Sequence, residues 1–197
     1  MELSEQSLFL FDITASAFGL AYIILATKQN NWCWPAAFIS SSLYILLFIS
    51  SKLYFDAVLN GYYVIMAVYG FWSWNKSSKE TILKVNWGSL NQNLIGFFLC
   101  GFISFTLGFF ANNFTDADFA YADAFTTIFS FYATWLITQK RIENWIYWII
   151  IDFVALILYI EKGLFFTSGL FVLYLRFAVF GYFEWRKELL KVRLEKP

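Results

Sequence analysis

With 197 residues, 60% of them hydrophobic and only 14% charged, and a mean hydropathy of +0.59, the chain has too few charged side chains to coat a soluble domain, so its surface meets hydrocarbon. Fourteen Lys and Arg balance fourteen Asp and Glu, so net charge points neither to nucleic acid nor to an acidic partner. The absence of histidine removes the usual metal ligand and the usual catalytic base, and neither a metal nor a cofactor is expected.

A helix crosses a bilayer core with roughly 20 apolar residues, at about 1.5 Å per residue through about 30 Å of hydrocarbon. Seven such runs follow one another, at approximately 8–26, 32–50, 53–74, 91–111, 118–137, 142–160 and 164–185. The first follows an acidic start, Met1-Glu2-Leu3-Ser4-Glu5, which lacks the basic flank of a secretory signal, so it is expected to be retained as a span. The second opens on Trp32, Cys33 and Trp34; Cys33 and the distant Cys100 have no metal-ligand spacing and are expected to serve helix packing. On the third, Asp56, Asn60, Tyr63, Ala67, Gly70 and Trp74 share one face at helical spacing. The fourth, from 91 to 111, is a linker helix after a lysine-bearing loop. The fifth is the least apolar, and Asp123, Thr127, Ser130 and Thr134 line a face ill suited to lipid. The sixth carries a stripe of Trp145, Trp148, Asp152 and Tyr159, with Asp152 close to the midplane. The seventh repeats the pattern of the third with Thr167, Phe171, Tyr174, Ala178, Gly181 and Trp185, and adds a deep basic residue, Arg176.

Charge orients the spans. Seven crossings place eleven basic residues on one side (Lys28, Lys76, Lys79, Lys84, Lys140, Arg141, Arg186, Lys187, Lys191, Arg193, Lys196) and two, Lys52 and Lys162, on the other. The excess marks the cytoplasmic side, which puts the N-terminus outside and the C-terminus inside.

An offset of 111 residues aligns the chain with itself without gaps over three helices. Asp12 falls on Asp123, Phe18 on Phe129, Leu25 on Leu136, Thr27 on Thr138, Trp34 on Trp145, Leu53 on Leu164, Phe55 on Phe166 and Tyr63 on Tyr174. Residues 67–76 match 178–187 at five of ten positions, Gly70 with Gly181 and Trp74 with Trp185 among them. The fold expected is therefore an all-α membrane protein: two like-oriented three-helix repeats, 1–76 and 117–187, joined by a loop and linker helix over 77–116, with a cytoplasmic tail over 188–197.

Ionisable groups inside a span mark function unless something else satisfies them. Gly70 and Gly181 suit close helix contacts, Trp74 and Trp185 suit interfacial belts, and Asp12, Asp56, Asp118 and Asp123 lie near outer helix ends. Asp152 and Arg176 are the deep charges. They either pair with each other, or Asp152, one turn from Trp148, meets a cationic aromatic ligand through charge, stacking and cation–π attraction. Their repeat mates are Ser41 and Ile65, so charge enters where the two copies differ. The candidate binding set is Asp152, Trp148, Trp145, Tyr159, Asn60, Tyr63, Arg176 and Thr127.

The stretch Glu143-Asn144-Trp145-Ile146-Tyr147-Trp148, then Asp152, then Tyr159-Ile160-Glu161-Lys162-Gly163-Leu164, then Gly181 and Trp185, resembles the Pnu family of bacterial vitamin transporters. Asn31-Trp32, Tyr69-Gly70 with Trp74, and Ala124-Phe125 extend the resemblance over nearly the whole chain. It implies a three-plus-one-plus-three fold akin to the SWEET carriers, a homotrimer in the bacterial inner membrane, and facilitated diffusion of an unphosphorylated vitamin with cytosolic phosphorylation as the trap. Members carry nicotinamide riboside, thiamine, riboflavin or deoxynucleosides. Nicotinamide riboside carriers commonly place Asn where this chain has Asp152, so the carboxylate suits thiamine, with its fixed thiazolium charge, ahead of nicotinamide riboside. The rival of another class is the substrate-binding subunit of an ATP-driven importer. No nucleophile, base or metal cluster supports an enzyme, and no buried Lys on the last helix supports a retinal protein.

Overall fold

Each of the seven apolar runs folds as one α-helix. The structure is a computed structural model that describes residues 5–50, 54–76, 83–115 and 118–194. The helices are α1 Glu5–Thr27, α2 Cys33–Ser50, α3 Tyr54–Asn75, α4 Leu90–Phe114, α5 Ala120–Thr138, α6 Glu143–Glu161 and α7 Phe165–Leu194. Lys52, Leu53, Lys79 and Lys196, used above for orientation and alignment, lie outside the described residues, as do the side chains of Phe55 and Phe166. Segments of α1, α2, α4 and α6 (Phe9–Thr27, Cys33–Ser50, Leu90–Phe114 and Glu143–Glu161) are long and apolar enough to cross a membrane by length and composition alone. The helices α3, α5 and α7 bear polar stripes. The chain is an all-helical membrane protein.

Contacts divide the chain into two units, Met1–Leu83 and Lys84–Pro197. In the first, α2 packs against both α1 and α3. Small polar side chains tie the first pair: Ser40 donates to the Ala15 carbonyl at 2.7 Å, and the Ser16 and Tyr44 hydroxyls share a hydrogen bond of 2.9 Å. In the second, α4 packs on α5, α5 on α6 and α6 on α7. Much of α4 stays exposed, with Phe97, Phe98, Phe102, Phe105, Phe109 and Phe110 turned outward, a surface suited to hydrocarbon.

The same turn closes α1 and α5. At the end of α1, Gln29 enters the left-handed region at φ 54°, its N–H donates to the Ala26 carbonyl (3.0 Å), and the Asn30 N–H donates to that of Leu25 (2.9 Å). At the end of α5, Lys140 sits at φ 50°, donating to Ile137 (3.0 Å), while Arg141 donates to Leu136 (3.1 Å). Both are Schellman closures, which satisfy the orphan carbonyls of a helix end. They are separated by the 111-residue offset, as are the inward hydroxyls just before them: Thr27 donates to the Ile24 carbonyl and Thr138 to that of Trp135.

Tryptophan packing also repeats. A Cβ added at Gly70 would lie 2.4 Å from the Trp34 ring, and one at Gly181 would lie 2.7 Å from the Trp145 ring. Each of those indoles meets a second edge-on: Trp34 and Trp74 at 5.2 Å and 84°, Trp145 and Trp185 at 5.5 Å and 86°. The belt assignment of Trp74 and Trp185 is thereby corrected. They are 7% and 0% exposed, packed edge-on against the Trp34 and Trp145 rings that the glycines admit, whereas a belt residue must reach the headgroups. The close-contact reading of Gly70 and Gly181 matches the geometry.

Candidate functional site on α6

Helix α6 is apolar on every side except for one stripe, so the turn that launches it decides where that stripe points. Along it, Trp145 is buried by its contacts with Gly181 and Trp185, and its Nε1–H has no acceptor among the described residues. Trp148, one turn on, is half-buried and leans against the apolar cluster of Cys100, Phe129, Ala133 and Ile151. Asp152 follows, only 5% exposed.

Among the described residues Asp152 forms no ion pair. Arg176, on α7, is exposed. The internal neutralisation weighed from the sequence is therefore not made. A buried carboxylate without a counter-charge is costly, so this position calls for a cation or a strong hydrogen-bond donor.

The remaining candidates fall in both units. Tyr159 stacks on Phe171 at 5.1 Å and 16°, and Phe171 meets Tyr174 edge-on at 5.7 Å, so α6 and α7 share a row of aromatic rings. Thr127 on α5 is half-buried; Ser130 and Thr134 on the same stripe are buried, with Thr134 donating to the Ser130 carbonyl at 2.8 Å, so that face does turn inward. Asp123, at the start of the stripe, pairs with Lys162 at 3.4 Å. In the first unit Asn60 is buried and donates to the Asp56 carbonyl at 2.9 Å, and Tyr63 is half-buried beside Tyr62.

One polar constellation escaped the sequence reading. Glu143, 5% exposed at the start of α6, accepts through Oε1 from the Gly88 N–H and from Asn93 Nδ2, the latter at 2.7 Å. Spacing holds no signal for it, because Gly88 and Asn93 lie 55 and 50 residues away, and an acidic residue in a first helical turn is already explained by the helix dipole. Among the described residues no group of three His, Cys, Asp or Glu is placed to hold a metal.

The site residues on α6 are thus a buried carboxylate, Asp152, and one turn before it a half-buried indole, Trp148, on an otherwise apolar helix. The family model described as "nicotinamide mononucleotide transporter" matches residues 10–187. The riboflavin/roseoflavin transporter RibM of Streptomyces davaonensis is 23% identical over 191 residues, covering 93% of this chain and 87% of that one. The nicotinamide riboside transporter PnuC of Escherichia coli is 22% identical over 193 residues, covering 85% and 81%. The crystal structure of the vitamin B3 transporter PnuC superposes with a TM-score of 0.72 at 23% identity, over 92% of this chain and 83% of that one. With the family model matching residues 10–187, nearly the whole length, the chain belongs to the nicotinamide mononucleotide transporter family of membrane proteins.

Proposed function

We propose that this protein carries a cationic water-soluble vitamin into the cytoplasm by facilitated diffusion, with thiamine ahead of nicotinamide riboside, and that Asp152 is the group recognising the positive charge. The observation that carries this reading is the buried Asp152 carboxylate, without an ion-pair partner among the described residues and one turn from Trp148. A thiazolium or pyridinium ring supplies the missing charge and a face for the indole. Thiamine adds an amino group that donates to a carboxylate. Nicotinamide riboside is the second reading, favoured by the relatives from Escherichia coli and Shigella flexneri that carry its name.

The same carboxylate gives trapping a physical basis. A phosphorylated product brings about two negative charges, which Asp152 repels, so phosphorylation in the cytosol prevents return through the same site. The architecture that supports this is a homotrimer in the inner membrane, each chain built of three-plus-one-plus-three helices in SWEET-like fashion, N-terminus outside and C-terminus inside. The duplicated turn and the duplicated Gly–Trp–Trp contacts support the like-oriented repeats, and the eleven-to-two division of basic residues supports the orientation.

Purified protein reconstituted alone in liposomes tests the proposal. Radiolabelled thiamine or nicotinamide riboside should equilibrate across the bilayer without ATP, and riboflavin, a neutral ring, should not. Equilibration of riboflavin alone would overturn the cationic reading. Binding without any equilibration would favour the importer subunit.

A further inference from the structure

Residues 84–93, which lead into α4, are fastened to the turn that starts α6 by a set of contacts confined to the second unit. The Asn86 N–H donates to the Lys140 carbonyl and the Ile142 N–H donates to that of Asn86, both at 3.1 Å, forming a short parallel bridge. Asn86 Nδ2 adds bonds to the carbonyls of Lys84 (3.1 Å) and Gln139 (3.3 Å). Glu143 Oε1 takes the Gly88 N–H and Asn93 Nδ2, and Arg141 Nη2 donates to Gln92 Oε1 at 2.8 Å. A Cβ at Gly88 would displace the side-chain ends of Arg141, Asn93 and Glu143 that make these bonds, lying 1.8 Å from Arg141 Nη1 and 2.9 Å from both Asn93 Oδ1 and Glu143 Oε1.

The equivalent turn of the first unit has no such fastening in its sequence. The repeat mates of Arg141, Glu143 and Asn144 are Asn30, Trp32 and Cys33, and Trp32 is 70% exposed. The copy with the clamped turn is also the copy with the carboxylate, because the mate of Asp152 is Ser41.

We propose that Glu143 is a positioning residue for vitamin binding: it pins the start of α6 to the 84–93 segment and thereby sets where Trp148 and Asp152 stand. Asp152 lies nine residues along the helix, roughly 14 Å from the pin. A tilt of about 5° at the first turn moves it by roughly 1 Å, beyond the ~0.5 Å within which a binding constellation must be held. Glu143 suits the task because one carboxylate oxygen takes a backbone and a side-chain donor together, and charge-assisted bonds resist exchange with water. This role rests on the α6 reading of the binding site.

The test uses the full-length protein in detergent, with two readouts on each variant: hydrogen exchange of the 84–93 amides, and titration of tryptophan fluorescence with thiamine and with nicotinamide riboside. Glu143→Ala should speed exchange in that segment and weaken binding about tenfold or more. Glu143→Gln, which keeps an acceptor oxygen without the charge, should restore protection and affinity in large part, to between those of Glu143→Ala and wild type. Gly88→Ala breaks the clamp from the opposite side without altering α6 and should match Glu143→Ala; it also serves if Glu143→Ala does not fold. Fast exchange combined with wild-type affinity in either variant would overturn the proposal. So would weak binding by Glu143→Gln with the segment still protected, which would make Glu143 a direct contact. If the wild type binds neither vitamin, the substrate reading fails, and the exchange data still decide whether Glu143 holds the segment.

Discussion

Asp152 and Trp148 carry the functional claim at the scale of single side chains. The sequence made Asp152 conspicuous, because a carboxylate in the middle of an apolar run demands an explanation, but it left two open: an internal pair with Arg176 or a ligand. Only the packed chain separates them, since the direction of a side chain around a helix depends on which neighbours the helix meets. The tryptophans were sorted less well. Trp74 and Trp185 end their apolar runs, as belt residues do, and the facing Gly70 and Gly181 that bury them against Trp34 and Trp145 lie on the same helices one turn earlier, where spacing alone does not tell a contact from an open surface. Two substitutions exploit the difference. Trp148→Ala should weaken vitamin binding, measured calorimetrically, with little change in melting temperature, whereas Trp74→Ala should lower stability by about 3–5 kcal/mol, the range for emptying a large buried aromatic, and leave the affinity of the folded fraction near wild type. Equal loss of affinity in both would break this sorting.

Helix ends and close contacts set the second scale. The seven runs read from hydropathy match the observed helices to within about three residues at nearly every end, because hydrophobic length is what the bilayer selects. The exception is α7, which continues to Leu194 past the apolar run, its last turns bearing Glu184–Lys187 and Glu188–Lys191 pairs at 2.6 and 3.9 Å. The paired turns were not legible: Gln29 and Lys140 are not the residues that announce a left-handed position, and their φ values emerge only in the closed turn. Lys140→Gly should therefore raise the melting temperature, by the equivalent of about 1 kcal/mol, since glycine enters that region without a Cβ penalty. Gly181→Ala should act the other way, costing about 1–3 kcal/mol, because its methyl group would press on a Trp145 ring that Trp185 backs. A thermal shift of the opposite sign in either would contradict the local geometry.

For the whole molecule, the internal repeat was the most informative feature of the sequence. Its offset of 111 residues returns in the Gly–Trp–Trp contacts, where the residues are identical in both copies, and in the turns, where the left-handed residues differ. What the repeat does not dictate is where its copies part company, and the residues proposed to bind and to position stand there: Asp152 aligns with Ser41 and Glu143 with Trp32. The most direct measurement is calorimetry of thiamine and nicotinamide riboside binding to the purified wild type and to Asp152→Asn. The wild type should bind at least one of these cations, and the variant, still folded, should lose about 1.5–3 kcal/mol of affinity, the range for a hydrogen bond to a charged group. Undiminished binding of the cation by folded Asp152→Asn would contradict the account.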